Sequence, residues 1–218
     1  MKCLLLSKCV TEYTKKDIDR GFCPKEIYEI CCCLRTCFCL SYAIRKDNDF
    51  YLFFTENAIA IKFIGKELRF LGPDERSQAL LLYKALKKRK SGMNKNIWIK
   101  STPGIYIKKV NAFSEFLKEY LKVNNSKLYI VQNKSIQSFS NEVNYNINKQ
   151  LPLKKEGTYI FAFDDIPPSS FFQNLSNINL KDKEITNIKL ENIKKISDQI
   201  LMLNYLMDSK NTREDNSK

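Results

Sequence analysis

Histidine is missing altogether from this chain of 218 residues, and glycine occurs only six times. Without imidazole there is no Ser-His-Asp or Cys-His catalysis, no histidine-ligated metal and no imidazole switch near neutral pH. The scattered glycines form neither a dinucleotide fingerprint nor a phosphate-cradling loop. Long hydrophobic runs are absent too: no stretch of about 18 apolar residues suggests a membrane span. The apolar run in Met1 to Val10 is too short for a signal peptide, so an intracellular, cytoplasmic protein is expected. Chemistry is left to carboxylates, Lys, Arg, Tyr, thiols, backbone amides or a cofactor.

Positive charge is abundant, with 37 Lys plus Arg against 24 Asp plus Glu, a formal charge of +13 and a pI near 9.3. Such an excess suits a polyanionic partner, through counterion release from phosphates, or equally a solubilising surface. Hydrophobic residues make up 44% and aromatics 12%, enough for a sizeable core. The length fits one large domain or two small ones.

All eight cysteines fall within the first 39 residues, at 3, 9, 23, 31, 32, 33, 37 and 39. Paired zinc ligands from two separate segments are not evident. Ile27, Ile30, Cys31, Leu34, Phe38 and Ser41 share a helical stripe, so the thiols read as small core hydrophobes in a helix over Ile27–Tyr42, and no metal is expected.

Elsewhere the pattern alternates. Residues 2–10, Phe50–Phe54, Ala58–Phe63, Leu68–Leu71 and Ile105–Val110 read as strands, with a hairpin through Thr55-Glu56-Asn57. Pro73 opens a helix with Ala79, Leu82, Tyr83 and Leu86 on one stripe. Its end, Lys84 to Lys90, carries five cations in seven residues, more than a helix terminus needs and a candidate phosphate patch. Ser101-Thr102-Pro103-Gly104 reads as a turn and Phe113–Leu121 as a helix. Leu128–Val131 and Tyr159–Phe163 are unbroken apolar runs, as in strands buried on both faces, and Ile188 with Leu190 marks another strand. Residues 132–155 read as a weak strand or loop, about 193–208 as a helix, and 211–218 as a disordered polar tail. An α/β layer architecture follows.

The blocks Leu40-Ser41-Tyr42-Ala43-Ile44-Arg45-Lys46-Asp47, Ile61 to Leu68, Gly72-Pro73-Asp74-Glu75-Arg76, Lys84 to Lys88 and Ser101 to Tyr106 occur in that order. Together they resemble the archaeal-type tRNA (pseudouridine-54 N1)-methyltransferase family, of the SPOUT class. The resemblance covers roughly residues 1–120 well and the remainder mainly in element order. It implies an α/β SPOUT-type methyltransferase fold with a C-terminal trefoil knot, spanning 1–210 as one domain. Residues 1–125 would face the RNA and 126–208 would form the knotted cofactor half. It further implies a homodimer, S-adenosyl-L-methionine as cofactor, tRNA as partner and N1-methylation of pseudouridine in the T-arm.

Carried onto this sequence, the cofactor would be held near Ile130, Phe163, Asp164, Leu190, Asn192, Ile193 and Gln199. Asp164 and Asp47 would be the catalytic carboxylates, with a turn cap as the competing reading for Asp164 and a charged turn for Asp47. RNA would be met by Arg45, Lys46, Arg76, Ser101, Thr102, Lys108 and Lys109, with ordinary turn and salt-bridge roles as the competing readings. The family pattern is departed from where Phe163 stands for a glycine, Leu190 to Lys194 for Leu-Ser-Pro-Leu-Glu, Gln199 for a cysteine, and Lys25 to Tyr28 for Gly-Arg-Leu-Asp. A divergent enzyme and a catalytically degenerate RNA-binding or scaffold dimer both fit those departures.

Overall fold

The computed structural model describes residues 1–89, 94–123, 127–131, 142–145, 153–163, 185–190 and 192–215. Among the described residues nine strands form one sheet: β1 (Lys2–Ser7), β2 (Asp49–Phe54), β3 (Ile59–Ile64), β4 (Ile99–Thr102), β5 (Ile105–Lys109), β6 (Leu128–Val131), β7 (Glu142–Tyr145), β8 (Thr158–Ala162) and β9 (Ile185–Leu190). Their order is β4-β5-β3-β2-β1-β8-β6-β9-β7. The run from β2 to β7 is parallel throughout, while β3, β5 and β4 extend it antiparallel. The C-terminal ends of β1, β2, β6, β8 and β9 therefore share one edge of the sheet, and the ends at which those strands begin share the other.

Alternation within the apolar runs assigns the two faces. Cys3, Leu5, Tyr129, Val131, Tyr159, Phe161 and Ile188 join a core roofed by α2 (Lys25–Phe38), α3 (Glu75–Lys88) and a long last helix. Leu4, Leu6, Leu128, Ile130, Ile160 and Ala162 pack on the opposite face with Phe113, Phe116, Leu117 and Tyr120 of α4 (Phe113–Val123). A five-residue α1 (Lys15–Asp19) runs ahead of α2, nucleated by a capping box in which Thr14 and Asp17 satisfy each other's backbone donors. No helix among the described residues is long and apolar enough to cross a membrane.

Several sequence expectations need adjustment. Residues 68–71 are not a strand; Leu68 and Leu71 are buried plugs in the loop before α3. Pro73 stands ahead of that helix rather than at its first position, and Asp74 caps it, accepting from the Ser77 N–H at 2.7 Å. Helix α2 stops at Phe38, so Ser41 lies outside it; Cys39 turns extended and bridges to Ile44. Ala58 sits in the hairpin turn at φ 51° rather than in a strand. Ser101 and Thr102 belong to strand β4, not to the turn that follows. The last helix, α5 (Ile196–Asp215), takes in residues 211–215.

Cys3, Cys31, Cys33 and Cys37 are buried, Cys23, Cys32 and Cys39 half-buried, Cys9 exposed, and all eight are free thiols. Burial drives the Cys33 and Cys37 thiols well above their ordinary range.

Helix α5 is fastened to α2 by buried amides. Asn48 Nδ2 donates to the Cys37 carbonyl at 2.7 Å and to Asn204 Oδ1 at 3.0 Å, while Asn204 Nδ2 donates to the Thr36 carbonyl at 2.9 Å. Removing one partner strands the others away from water. Asn204→Ala is expected to lower unfolding free energy by about 1–3 kcal/mol, read as a shifted urea midpoint at unchanged m-value.

Candidate functional site

The carboxyl ends of parallel strands are where open α/β sheets bind ligands, because loops diverge there and leave a crevice. Here β6 ends at Val131, β8 at Ala162 followed by Phe163, and β9 at Leu190. Phe163 donates its N–H to the Leu6 carbonyl at 3.1 Å and leans its half-buried ring on the α2–α5 core. After β9 the chain turns through Asn192 at φ 65°, a left-handed conformation asparagine tolerates better than most residues. The Ile193 N–H donates to the Leu190 carbonyl at 3.3 Å, and buried Gln199 Nε2 holds the Ile193 carbonyl at 3.1 Å.

The fold thus gathers Phe163, Leu190, Asn192, Ile193 and Gln199 on one edge. Ile130 is in the neighbouring strand β6, but its side chain packs under α4 on the opposite face. The arrangement offers an apolar lip, a turned backbone and a fixed carbonyl rather than a charged clamp. Those features offer backbone and van der Waals contact rather than ion pairing. Asp164 lies outside the described residues.

The other expected carboxylate is elsewhere. Asp47 lies where β1 and β2 begin, separated from Phe163 by a strand length of roughly 17–20 Å within one chain. It pairs with Lys155 at 3.2 Å, which holds its carboxyl below the usual range, and its carbonyl accepts from the Met1 amine at 3.1 Å. Arg45 beside it forms a two-pronged pair with Asp208 of α5, at 3.0 and 2.7 Å. Lys46 Nζ donates to the Leu68 carbonyl at 3.0 Å. A Cβ on Gly65 would stand 2.6 Å from the Arg45 carbonyl oxygen and 2.9 Å from that of Lys46, so glycine lets β3 close onto this loop. The segment 45–48 is a structural junction whose charges are engaged within the protein.

The remaining RNA candidates divide. Arg76 pairs with Asp19 at 2.7 Å, both well exposed, a surface bridge of small energetic weight. Lys108 is 1% exposed, bound to Glu119 of α4 and 5.6 Å from the Trp98 ring centre, which withdraws it from any phosphate. The Ser101 and Thr102 hydroxyls are buried, not presented to solvent. Lys109 is exposed at the end of β5, on the edge where the parallel strands finish.

Two features escaped the sequence reading. Asn204 and Asp208 are polar positions on α5 whose partners lie 156 and 163 residues away, a distance no local pattern reports. The segment after β1 lies along α3: Glu12 pairs with Arg89, the Tyr13 hydroxyl donates to the Ala79 carbonyl at 2.7 Å, and Asp19 meets Arg76. The Thr14-x-x-Asp17 box was its available signal.

Residues 11–147 match the family described as "Putative SAM-dependent RNA methyltransferase", more than half of the chain. A tRNA (pseudouridine(54)-N(1))-methyltransferase of Methanococcus vannielii is 36% identical over 135 residues, 58% of this chain and 66% of that protein. The Methanocaldococcus jannaschii protein of the same name is 37% identical over 109 residues, 48% and 53% respectively. The Haloferax volcanii one is 38% identical over 90 residues, 41% and 44%. Matches to relatives such as these thus span 44% to 66% of their length.

Asp47 and Asp49 should respond oppositely to pH. Burial raises the Asp49 carboxyl above its ordinary value, despite a 3.2 Å hydrogen bond from the Gly65 N–H. A raised folded-state pKa gives stability that is present below the unfolded value and lost as pH rises through the folded one. Asp49→Asn should therefore gain melting temperature relative to the parent between pH 4 and 7. Asp47→Asn removes a lowered carboxyl, and should instead fall behind the parent as pH rises from below about 3, the comparison being thermal melts across that range.

Proposed function

We propose that this chain, which belongs to the SAM-dependent RNA methyltransferase family, transfers a methyl group from S-adenosyl-L-methionine to N1 of pseudouridine in the T-arm of tRNA. The observation that carries the reading is the gathering of Phe163, Leu190, Asn192, Ile193 and Gln199 on the carboxyl edge of β8, β6 and β9. When bound, the cofactor supplies a methyl group already activated on a sulfonium. The chain's work is to exclude water, orient the target base and take the N1 proton.

Leu190 and Ile193 provide apolar contact, and Gln199 fixes the turn that presents the backbone around Asn192. Asp164, next in the chain after Phe163, is the proposed acceptor of the N1 proton. Uridine joined through N1 offers no such proton, so only the C-glycoside isomer can react. RNA phosphates are assigned to Lys109 and to Lys84, Lys87 and Lys88, three exposed cations at the end of α3. Arg45 serves the same site indirectly, by seating α5, whose first turn holds Gln199, while Lys46 and Asp47 secure the loop before α3 and the turn before β8.

Residues 1–210 are read as one domain, supported by the shared sheet, with 126–208 as the cofactor half. Strand β9 lies between β6 and β7, both earlier in the chain, an order that supports a trefoil knot there. Leu201 and Tyr205, one turn apart on α5, are exposed apolar residues, as is Tyr28 on the adjoining α2. They support a homodimer through this side. Cytoplasmic residence is the natural setting for a tRNA-modifying enzyme.

Methyl transfer from radiolabelled cofactor is expected onto a T-arm hairpin carrying pseudouridine and not onto its uridine twin. Gln199→Leu should weaken cofactor binding by about ten-fold in calorimetry, the equivalent of one buried polar contact. Absence of cofactor binding by the folded parent protein would overturn the reading. The dimer has its own test. Leu201→Glu with Tyr205→Glu should shift the light-scattering mass from two chains to one.

A further inference from the structure

A cleft of about 300 Å³ lies between the segment that follows β1 and the end of α3. It belongs to the ligand-binding edge of the sheet. Residues 8–10 are pinned there, with the Glu56 N–H on the Lys8 carbonyl at 2.9 Å and the Val10 N–H on Asn57 Oδ1 at 2.7 Å. Thr11 follows immediately, and Glu12 closes onto Arg89. The cleft therefore opens beside the ends of β1 and β2, on the same face as α5. Strand β9 is three strands beyond β1, on the side away from α3, which packs on β4 and β5, so the Leu190–Ile193 turn stands more than roughly 15 Å away at the usual strand spacing.

The lining has a recognisable chemistry. Tyr83, half-buried, meets Tyr13 edge-on at 5.8 Å and forms the floor with Leu86. Thr11 adds a half-buried hydroxyl. Lys87 and Arg89 balance Glu12 and Asp17, so the cleft itself is close to neutral. Its surroundings are not neutral, because Lys84 and Lys88 stand exposed on the same helix end, without an ion-pair partner among the described residues. A neutral, aromatic-floored slot with cations on one rim suits a base and ribose inside and backbone phosphates outside.

Resting on the methyltransferase reading above, we propose that this cleft holds one unstacked nucleotide of the RNA substrate, several positions from the target. The base lies on Tyr83 and the adjoining phosphates lie over Lys84, Lys87 and Lys88. A volume of about 300 Å³ is at the lower limit of ligand pockets and matches one nucleotide rather than a duplex.

The test is fluorescence anisotropy of a labelled, pseudouridine-containing T-arm hairpin against the full chain, with cofactor calorimetry on the same preparations. Tyr83→Ala should weaken RNA binding about ten-fold and Tyr83→Phe should restore it, as base stacking requires. Thr11→Trp, which fills the slot without removing core packing, should weaken binding similarly. Lys87→Gln with Lys88→Gln should flatten the slope of log affinity against log salt by about 1–2. Cofactor affinity should stay unchanged in every variant. If Tyr83→Ala lowers both affinities it reports lost fold, and Thr11→Trp then decides. Parent-like RNA binding by Thr11→Trp overturns the cleft while the methyltransferase reading stands. A parent protein that binds cofactor but no RNA overturns both.

Discussion

Strand β1 is hydrogen-bonded along its length to β2 on one side and along most of it to β8 on the other, and Cys3, Leu4, Leu5 and Leu6 have no exposed surface. Lys2 is partnered with Thr158, so six residues near position 1 must be enclosed by chain that arrives far later. Closing so long a loop costs little more than closing a moderate one, since the entropy grows only with the logarithm of length. Each buried leucine, by contrast, contributes about 1.5–3 kcal/mol. Without β1, two apolar strand edges would face each other across a gap, and neither the antiparallel extension nor the parallel block would be complete.

The same pairing divides the labour between the edges of the sheet. Where β1 and β2 begin, Arg45, Lys46, Asp47 and Asn48 reach α5, the loop before α3 and the turn before β8. Where the parallel strands finish, the chain presents Phe163, the Asn192 turn and the cationic end of α3. A helix of 20 residues spans about 30 Å, so α5 reaches from the second edge to the first, with Gln199 near its start and Asp208 beyond Asn204. Mechanical firmness at one edge is thereby delivered to the other.

Much of this architecture could be read directly. The apolar runs at 128–131 and 159–162 are buried on both faces, and the stripe Ile27, Ile30, Cys31, Leu34 and Phe38 is a core-facing helix surface. Leu68 and Leu71 misled because burial without strand pairing leaves the same apolar signature. The site was harder. A charged run such as Arg45-Lys46-Asp47 looks the same whether its partner is RNA or a helix more than 150 residues onward. Direction also matters, since which residues share an edge depends on parallel pairing that local pattern does not encode. Lys108 shows the limit most clearly: its burial is created by Trp98 and by Glu119 of α4.

The cysteines give the molecule a built-in record of its own opening. Thiolates, not thiols, attack alkylating and disulfide reagents, and a buried thiol with a raised pKa scarcely ionises. Cys9 is exposed, whereas Cys33 and Cys37 are sealed between α2 and the sheet. Reagent uptake at Cys9 therefore registers native protein, while modification at Cys33 or Cys37 marks a chain whose α2 has left its seat. With Cys3 inside β1 only 4.0 Å, sulfur to sulfur, from Cys37, those marks fall at the joint on which the sheet closes.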